Sequence, residues 1–357
     1  MVTRILFLLL LLGLRPAPVN SQDESRINVL KSRLKTADAQ SRFEILSALS
    51  NYYVESFPDS AIYYGNQAFE FGQNIGVRTG LAAPLTAVGR AYANRGELRK
   101  SLDYHERAIE VSILGRDSIQ LGYCYNYLGV FFLEGENLNR AIENFTSAGK
   151  IFELKKFVAG QIEVLRNLSA AHSQQQQHKL AVVEGEQALA LIRQSGDSTE
   201  LVLSLVEVGD LYQAEGKKEL ALSTFDQARL IAAKLSDKVL EAEVYIGLAE
   251  LYFQDQDFAN AAQGLNKVFP EISSLQNEKL FIRACLLQAQ LLMQDRNYKG
   301  ASGWLELLIK HAERAGNLIA TESALELLIS CNDATGHITR SAQLQEKLSE
   351  LVNRIKE

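Results

Sequence analysis

Residues able to do chemistry are few in this chain and stand apart from one another. The five histidines, His105, His172, His178, His311 and His337, show no metal-binding spacing such as His-Glu-x-x-His, and Cys124, Cys285 and Cys331 are too scattered to complete a zinc set with them. A phosphate-cradling loop needs an upstream glycine and a Ser or Thr after its lysine. The stretch around Gly216, Lys217 and Lys218 has neither. No Gly-x-Ser-x-Gly elbow presents a nucleophile. Neighbouring carboxylates such as Glu134 and Glu136 fall at a turn between helices, where solvated surface is their ordinary role. The expectation is a protein that is not an enzyme and uses neither a metal nor an organic cofactor.

What positions the remaining polar residues is a repeat. Offsetting the chain by forty residues aligns Ala61, Ser101, Ala141, Ala181, Ala221, Ala261, Ala301 and Ser341. Seven residues on, Ala68, Ala108, Ala148, Ala188 and Ala228 form a second column that becomes Val268, Leu308 and Leu348. Such self-similarity means stacked supersecondary units. Each unit holds two runs of helical periodicity, as in Tyr125, Leu128, Gly129 and Phe132 followed by Ala141, Phe145 and Ala148, with Gly135 between them. Asp117, Asp197, Asp237, Asn277 and Asn317 stand at unit starts, where a short acceptor side chain caps a helix. Gly76, Gly196 and Gly316 precede starts, as C-terminal residues of helices do. Gly89, Gly129, Ser169 and Gly209, with Ala249 and Ala289, mark a close crossing of the two helices. The Ala column of the second helix is expected to answer them, and Tyr92, Phe132, Tyr212 and Tyr252 to fill the wider part of the wedge. His105 and His172 occupy columns that elsewhere hold Phe or Tyr and read as packing substitutions.

These motifs resemble the tetratricopeptide repeat (TPR) family, whose aromatic-x-x-Leu-Gly-x-x-aromatic and Ala-x-x-x-Phe-x-x-Ala pattern stands here as Tyr125, Leu128, Gly129, Phe132, Ala141, Phe145 and Ala148. It stands again as Leu205, Val208, Gly209, Tyr212, Ala221, Phe225 and Ala228. The resemblance implies an all-α, right-handed α-solenoid of about eight repeats, near 37–76, 77–116, 117–156, 157–196, 197–236, 237–276, 277–316 and 317–357, after a leading helix over 22–36 with Ile27, Leu30 and Leu34 on one face. The period is forty where the family usually has 34, and the usual proline closing the second helix is missing, which predicts slightly longer helices. Gln288, Asn332 and Gln345 replace apolar residues in the last two units, which read as capping units. The leading helix and first unit are similar to exported TPR proteins and sensor ectodomains of Bacteroidetes-type bacteria. In those sensors an output domain usually follows; none follows here before Glu357, which counts against a signalling role.

The resemblance also implies a concave groove lined by the first helices that takes a segment of another protein or a peptide. Helical spacing places two columns on that face: Thr86, Asn126, Arg166, Val206, Ile246 and Leu286, and Arg90, Val130, Ala170, Asp210, Glu250 and Gln290. In the first half, Arg90, Asn94, Asn126, Arg166 and Gln174 suit a carboxylate or backbone amide. In the second half, the aliphatic row Val206, Ile246 and Leu286 beside Asp210 and Glu250 suits a basic amphipathic peptide, or else is half-buried by the winding of the superhelix.

The ends and the charge complete the reading. Arg4 followed by the apolar run Ile5–Leu14 and a Pro-containing polar segment predicts a secretory signal peptide cut between Ser21 and Gln22, and hence a periplasmic or secreted protein. An apolar run of that length falls short of the about 20 residues that span a bilayer, so no stable membrane insertion is expected after cleavage. Removing Arg4 and Arg15 takes the net charge from −6 to −8, which disfavours nucleic acid as a partner. The three cysteines sit inside helical apolar patterns and read as buried thiols. Asn144 and Asn167 match the glycosylation acceptor but lie in predicted helices. Leu344, Leu348, Leu351 and Ile355 form a short stripe on the last helix, read as an end cap on a monomer. The leading function is an exported interaction scaffold; the alternative is an input module serving a separate membrane signalling protein.

Overall fold

The computed structural model describes residues 21–270, 272, 277–315 and 317–356; the run 1–20 read as a signal peptide, Gly316 and the Ile355 side chain lie outside what is described. Among the described residues there are 17 helices and no strands. The leading helix α1 is Ser21–Leu34. Eight pairs follow: α2 (Ala39–Tyr53) with α3 (Pro58–Asn74), α4 (Ala83–Asn94) with α5 (Leu98–Gly115), α6 (Ser118–Glu134) with α7 (Leu138–Leu154), and α8 (Val158–Gln174) with α9 (His178–Ser195). The second four are α10 (Ser198–Glu215) with α11 (Lys218–Leu235), α12 (Lys238–Gln254) with α13 (Phe258–Val268), α14 (Glu278–Gln294) with α15 (Tyr298–Ala315), and α16 (Leu318–Ala334) with α17 (Ile338–Lys356). The chain parts into two compact units between Ser195 and Gly196. Within each, the two helices of a pair pack on each other, and the first helices of successive pairs also touch, so the first helices of each unit form a layer of their own.

The helix ends follow from local chemistry. Asp117 Oδ1 accepts from Gln120 N at 3.0 Å, Asp197 and Asp237 each accept two first-turn amides, and Asn277 and Asn317 accept from Leu280 and Ala320. These satisfy donors that have no partner within their own helix. Left-handed backbone recurs in two columns forty apart: Gly76, Arg116, Lys156, Gly196 and Ser236 between pairs, and Gly96, Glu136, Gln176, Gly216, Gln256, Arg296 and Gly336 within them. At the first kind, Arg116 N reaches Ile113 O and Asp117 N reaches Ser112 O, closing the helix with bonds running backward. The within-pair break falls at Gly135 as expected, since α6 ends at Glu134 with Gly135 as its C-cap; Gly135 has φ −81°, and the positive φ of 57° is taken by the next residue, Glu136. Two helices are short for legible reasons. Pro84 and the left-handed Gly80 delay the start of α4, and Pro270 stops α13 after 11 residues, so one repeat does carry a proline near the end of its second helix.

Packing uses the small-residue columns. Ala61, Ala141, Ala181, Ala221, Ala261 and Ala301 have no exposed surface. The close-crossing glycines meet rings rather than the Ala column. A Cβ on Gly129 would lie 2.5 Å from Phe145, one on Gly209 2.9 Å from Phe225, and one on Gly89 3.0 Å from His105. Phe152 sits between Gly122 of α6 and Gly160 of α8, and Phe225 between Gly209 of α10 and Gly247 of α12, so these rings join one pair to the next. At the C-terminal end α17 buries Leu351 and half-buries Leu344 and Leu348 against α16, while Gln345 and Ser349 are exposed.

Candidate partner-binding faces

In the N-terminal unit, the residues read as a receptor for a carboxylate already hold one, and it is the chain's own. Arg90 on α4 lies 2.7 Å from Glu55 Oε1, donates to Asn51 Oδ1 at 3.1 Å, and stacks 5.0 Å from the Tyr127 ring centre. One turn later Asn94 donates to the other Glu55 oxygen at 3.1 Å and to Val54 O at 3.0 Å. Asn126 on α6 has no exposed surface. It donates to Glu163 Oε1 at 2.6 Å and accepts from Asn167 Nδ2 at 2.9 Å. Burial raises the Glu163 carboxyl above the ordinary glutamate value, against the opposing pull of Asn126, Arg90 and Arg166. Arg166 and Gln174 on α8 are half-buried. The structure thus joins Arg90 with Asn94, and Asn126 with Glu163 and Asn167, as ties between successive first helices.

In the C-terminal unit the aliphatic row is core. Val206, Ile246 and Leu286 are 2%, 0% and 2% exposed, which corrects the reading of them as an accessible row. Glu250 is also buried, and it grips a residue that the sequence reading passed over. Arg283 on α14 donates through Nε and Nη2 to the two Glu250 oxygens, at 3.0 and 2.5 Å, and through Nη1 to Glu243 Oε1 at 2.7 Å. Lys279 approaches Glu243 at 3.5 Å. Burial opposes the charge on Arg283, but Glu250 and Glu243 outweigh it and hold its pKa above the usual guanidinium value. Asp210 on α10 lies near this cluster yet accepts no hydrogen bond among the described residues. It is half-buried, and its carboxyl is pushed up to about 7 by burial, with Arg283 pulling the other way and Glu250 adding to the rise.

The missed residues lie one helical turn before the columns singled out. Glu163, Glu243 and Arg283 share a register forty apart, and opposite charges at 243 and 283 were the available signal. His105 fits the reading as a packing substitution, whereas His172 has a polar partner. His105 is buried against Phe131 and Gly89 where other repeats have Phe, and burial, followed by Arg90, lowers its pKa to about 4. His172 instead bonds Glu184 Oε2 at 2.8 Å, linking α8 to α9. Among the described residues no group of His, Cys, Asp and Glu could hold a metal ion, and no helix is long and apolar enough to cross a membrane.

The fold is the helical-repeat fold of TPR proteins. A signal-transduction ATPase with a TPR sensor from Pyrococcus horikoshii superposes with a TM-score of 0.59 at 17% identity over 92% of this chain, which spans 52% of that protein. Yeast Tom70 gives 0.60 at 18% over 88% of this chain and 61% of its own. A Rap protein complexed with Competence and Sporulation Factor gives 0.57 at 12%, covering 94% of this chain and 99% of the other. No family model matches the sequence, and no curated protein matches it by sequence.

Proposed function

We propose that this protein is an exported, monomeric scaffold that holds a segment of another protein along the first-helix layer of its C-terminal unit, and that this segment is basic. Asp210 carries the reading. Of the charged residues in the two face columns of that unit, Glu250 is spent on Arg283, whereas the Asp210 carboxylate is half-buried and accepts no hydrogen bond. A lysine or arginine side chain would supply both the charge and the missing donors. The internal clamp on Glu55 disfavours capture of a foreign carboxylate by Arg90 and Asn94. A Rap protein of this fold forms a complex with Competence and Sporulation Factor, which supports partner binding as a use of such a layer. Arrayed basic and acidic peptides test it. Basic peptides should bind, and Asp210→Asn should weaken them at least about tenfold, the worth of one charge-assisted pair. Preference for acidic peptides, or binding that ignores Asp210→Asn, sinks the reading. Capture from the cell envelope separates the scaffold from an input module: recovery of assembly proteins supports the former and of a membrane sensor the latter.

A further inference from the structure

The two ends of the helices in the N-terminal unit differ in character. Because pairs alternate in direction, every turn joining a second helix to the next first helix lies at one end of the layer, and every turn within a pair lies at the other. At the between-pair end, Leu114 and Leu154 close α5 and α7 in equivalent positions and are 83% and 80% exposed; Ile75, Ile113, Ile119 and Val158 are exposed beside them. The same three turns carry Arg78, Arg116, Lys155 and Lys156, all exposed, whose side chains make no hydrogen bond or ion pair among the described residues. Acidic residues there are Glu153 and Asp117. The Asp117 carboxylate is engaged by the amides of Gly80, at 2.7 Å, and Gln120. The opposite end is balanced, with Glu55, Asp59, Glu97, Glu134 and Glu136 against Arg95, Arg99, Lys100, Arg140 and Lys179, and several of these are mutually paired. Of the two ends of this unit, the between-pair end is the basic and aliphatic one among the described residues.

We infer that this edge docks on an anionic lipid surface, with Leu114 and Leu154 entering the headgroup region and Arg78, Arg116, Lys155 and Lys156 meeting lipid phosphates. Leu114 and Leu154, and Arg116 and Lys156, occupy equivalent positions in successive repeats, which puts them on one side in a row, as a flat interface requires. A protein partner would need a separate fitted pocket for each protruding leucine, whereas a bilayer interface accepts them wherever they lie in the plane. The attraction adds for each basic residue and fades with salt. This docking is independent of the peptide-binding reading and uses a different part of the molecule.

Sedimentation of the full chain with vesicles tests it, comparing phosphatidylglycerol in phosphatidylcholine with phosphatidylcholine alone. Any lipid affinity of the apolar N-terminal run is common to all variants, so the measured quantity is the increment due to the anionic lipid. Wild type should bind the anionic vesicles more tightly, and less so in high salt. Arg116→Gln, Lys155→Gln and Lys156→Gln combined should lower the partition coefficient by about fivefold per charge, about a hundredfold in all. Leu114→Ser with Leu154→Ser should weaken binding at unchanged charge, while Arg99→Gln with Lys100→Gln on the other edge should leave it as in wild type. All these positions are exposed, and unchanged helical circular dichroism and thermal melts confirm folding. Equal binding of wild type to the two vesicle types, or a triple variant that binds as wild type does, overturns the inference. So does retention of the edge by polyglutamate but not by anionic vesicles, which would assign it to an acidic protein.

Discussion

Arg283→Leu should be the most damaging single substitution in the C-terminal unit. The guanidinium is 4% exposed and donates three hydrogen bonds, two to Glu250 and one to Glu243, both of which are also buried. Removing it leaves two carboxylates in a site that water barely reaches. Breaking a buried ion pair on one side costs about 3–5 kcal/mol, against about 0–1 kcal/mol for an exposed pair. Lys279 still faces Glu243 from 3.5 Å, so the heavier loss falls on Glu250, which has no second cation within bonding distance among the described residues. Two consequences follow. The loss should shrink as the pH is lowered, because protonation removes the stranded charge. Adding Glu250→Leu to Arg283→Leu should recover stability, because an apolar replacement for a buried pair is often neutral or better. Urea melts of the single and double variants at neutral and mildly acidic pH give the cycle, and hydrogen exchange should show α12 and α14 opening first, since repeat stability passes only between neighbours. A loss for Arg283→Leu under about 1 kcal/mol, or a double variant whose cost is the sum of the singles, would refute the geometry on which this rests.

Gly129→Leu should cost about 2–4 kcal/mol in a denaturant melt, because its side chain must enter the space of the buried Phe145 ring, whereas Gly303→Ala, with no atom within 4 Å of the new Cβ, should be neutral or stabilise by up to about 1 kcal/mol. His105 makes stability pH-dependent. Its folded pKa of about 4 lies below the unfolded 6.5, so its full contribution is present above pH 6.5 and is lost as the pH falls toward 4, about 3 kcal/mol in all. His105→Phe, which restores the aromatic of other repeats, should remove that slope in urea melts. The comparison is read as wild type minus variant, since the raised Asp210 carboxyl acts in the opposite sense. Cys124 and Cys285, buried with thiols pushed up to about 11 and about 12, should resist thiol reagents at neutral pH until the chain is unfolded; fast native labelling would contradict their burial.

The fold was legible because its determinants are local and repeat. Caps such as Asp117 and Asn317 act within three residues of themselves, and a small residue at one period implies the same crossing at the next. The details that escaped are those in which backbone geometry is not written in residue type. The left-handed turn position is Gly at 96, 216 and 336 but Glu, Gln, Gln and Arg at 136, 176, 256 and 296. Glycines therefore mark only some of the left-handed turn positions. The partner of the crossing glycines was missed for a similar reason: Phe145 and the Ala column lie on the same helix, and spacing alone does not say which of them faces Gly129.

The faces were harder, and the reason bears on any stacked-helix protein. A polar residue on a first helix lies beside the first helix of the next pair, so the nearest candidate to satisfy it is another residue about forty positions away, well before any foreign ligand. Arg90 with Glu55, Asn94 with Glu55, Asn126 with Glu163, and Arg283 with Glu243 are all such cases, at sequence separations of 33 to 41 for the whole set of first-helix ties. A column of charged residues in the sequence therefore reports first on cohesion between repeats. On the function proposed above, recognition falls to positions where the internal match is incomplete. Asp210 is the candidate: the forty-residue register sets it beside Glu250, a like charge already held by Arg283, and its carboxyl accepts no hydrogen bond among the described residues.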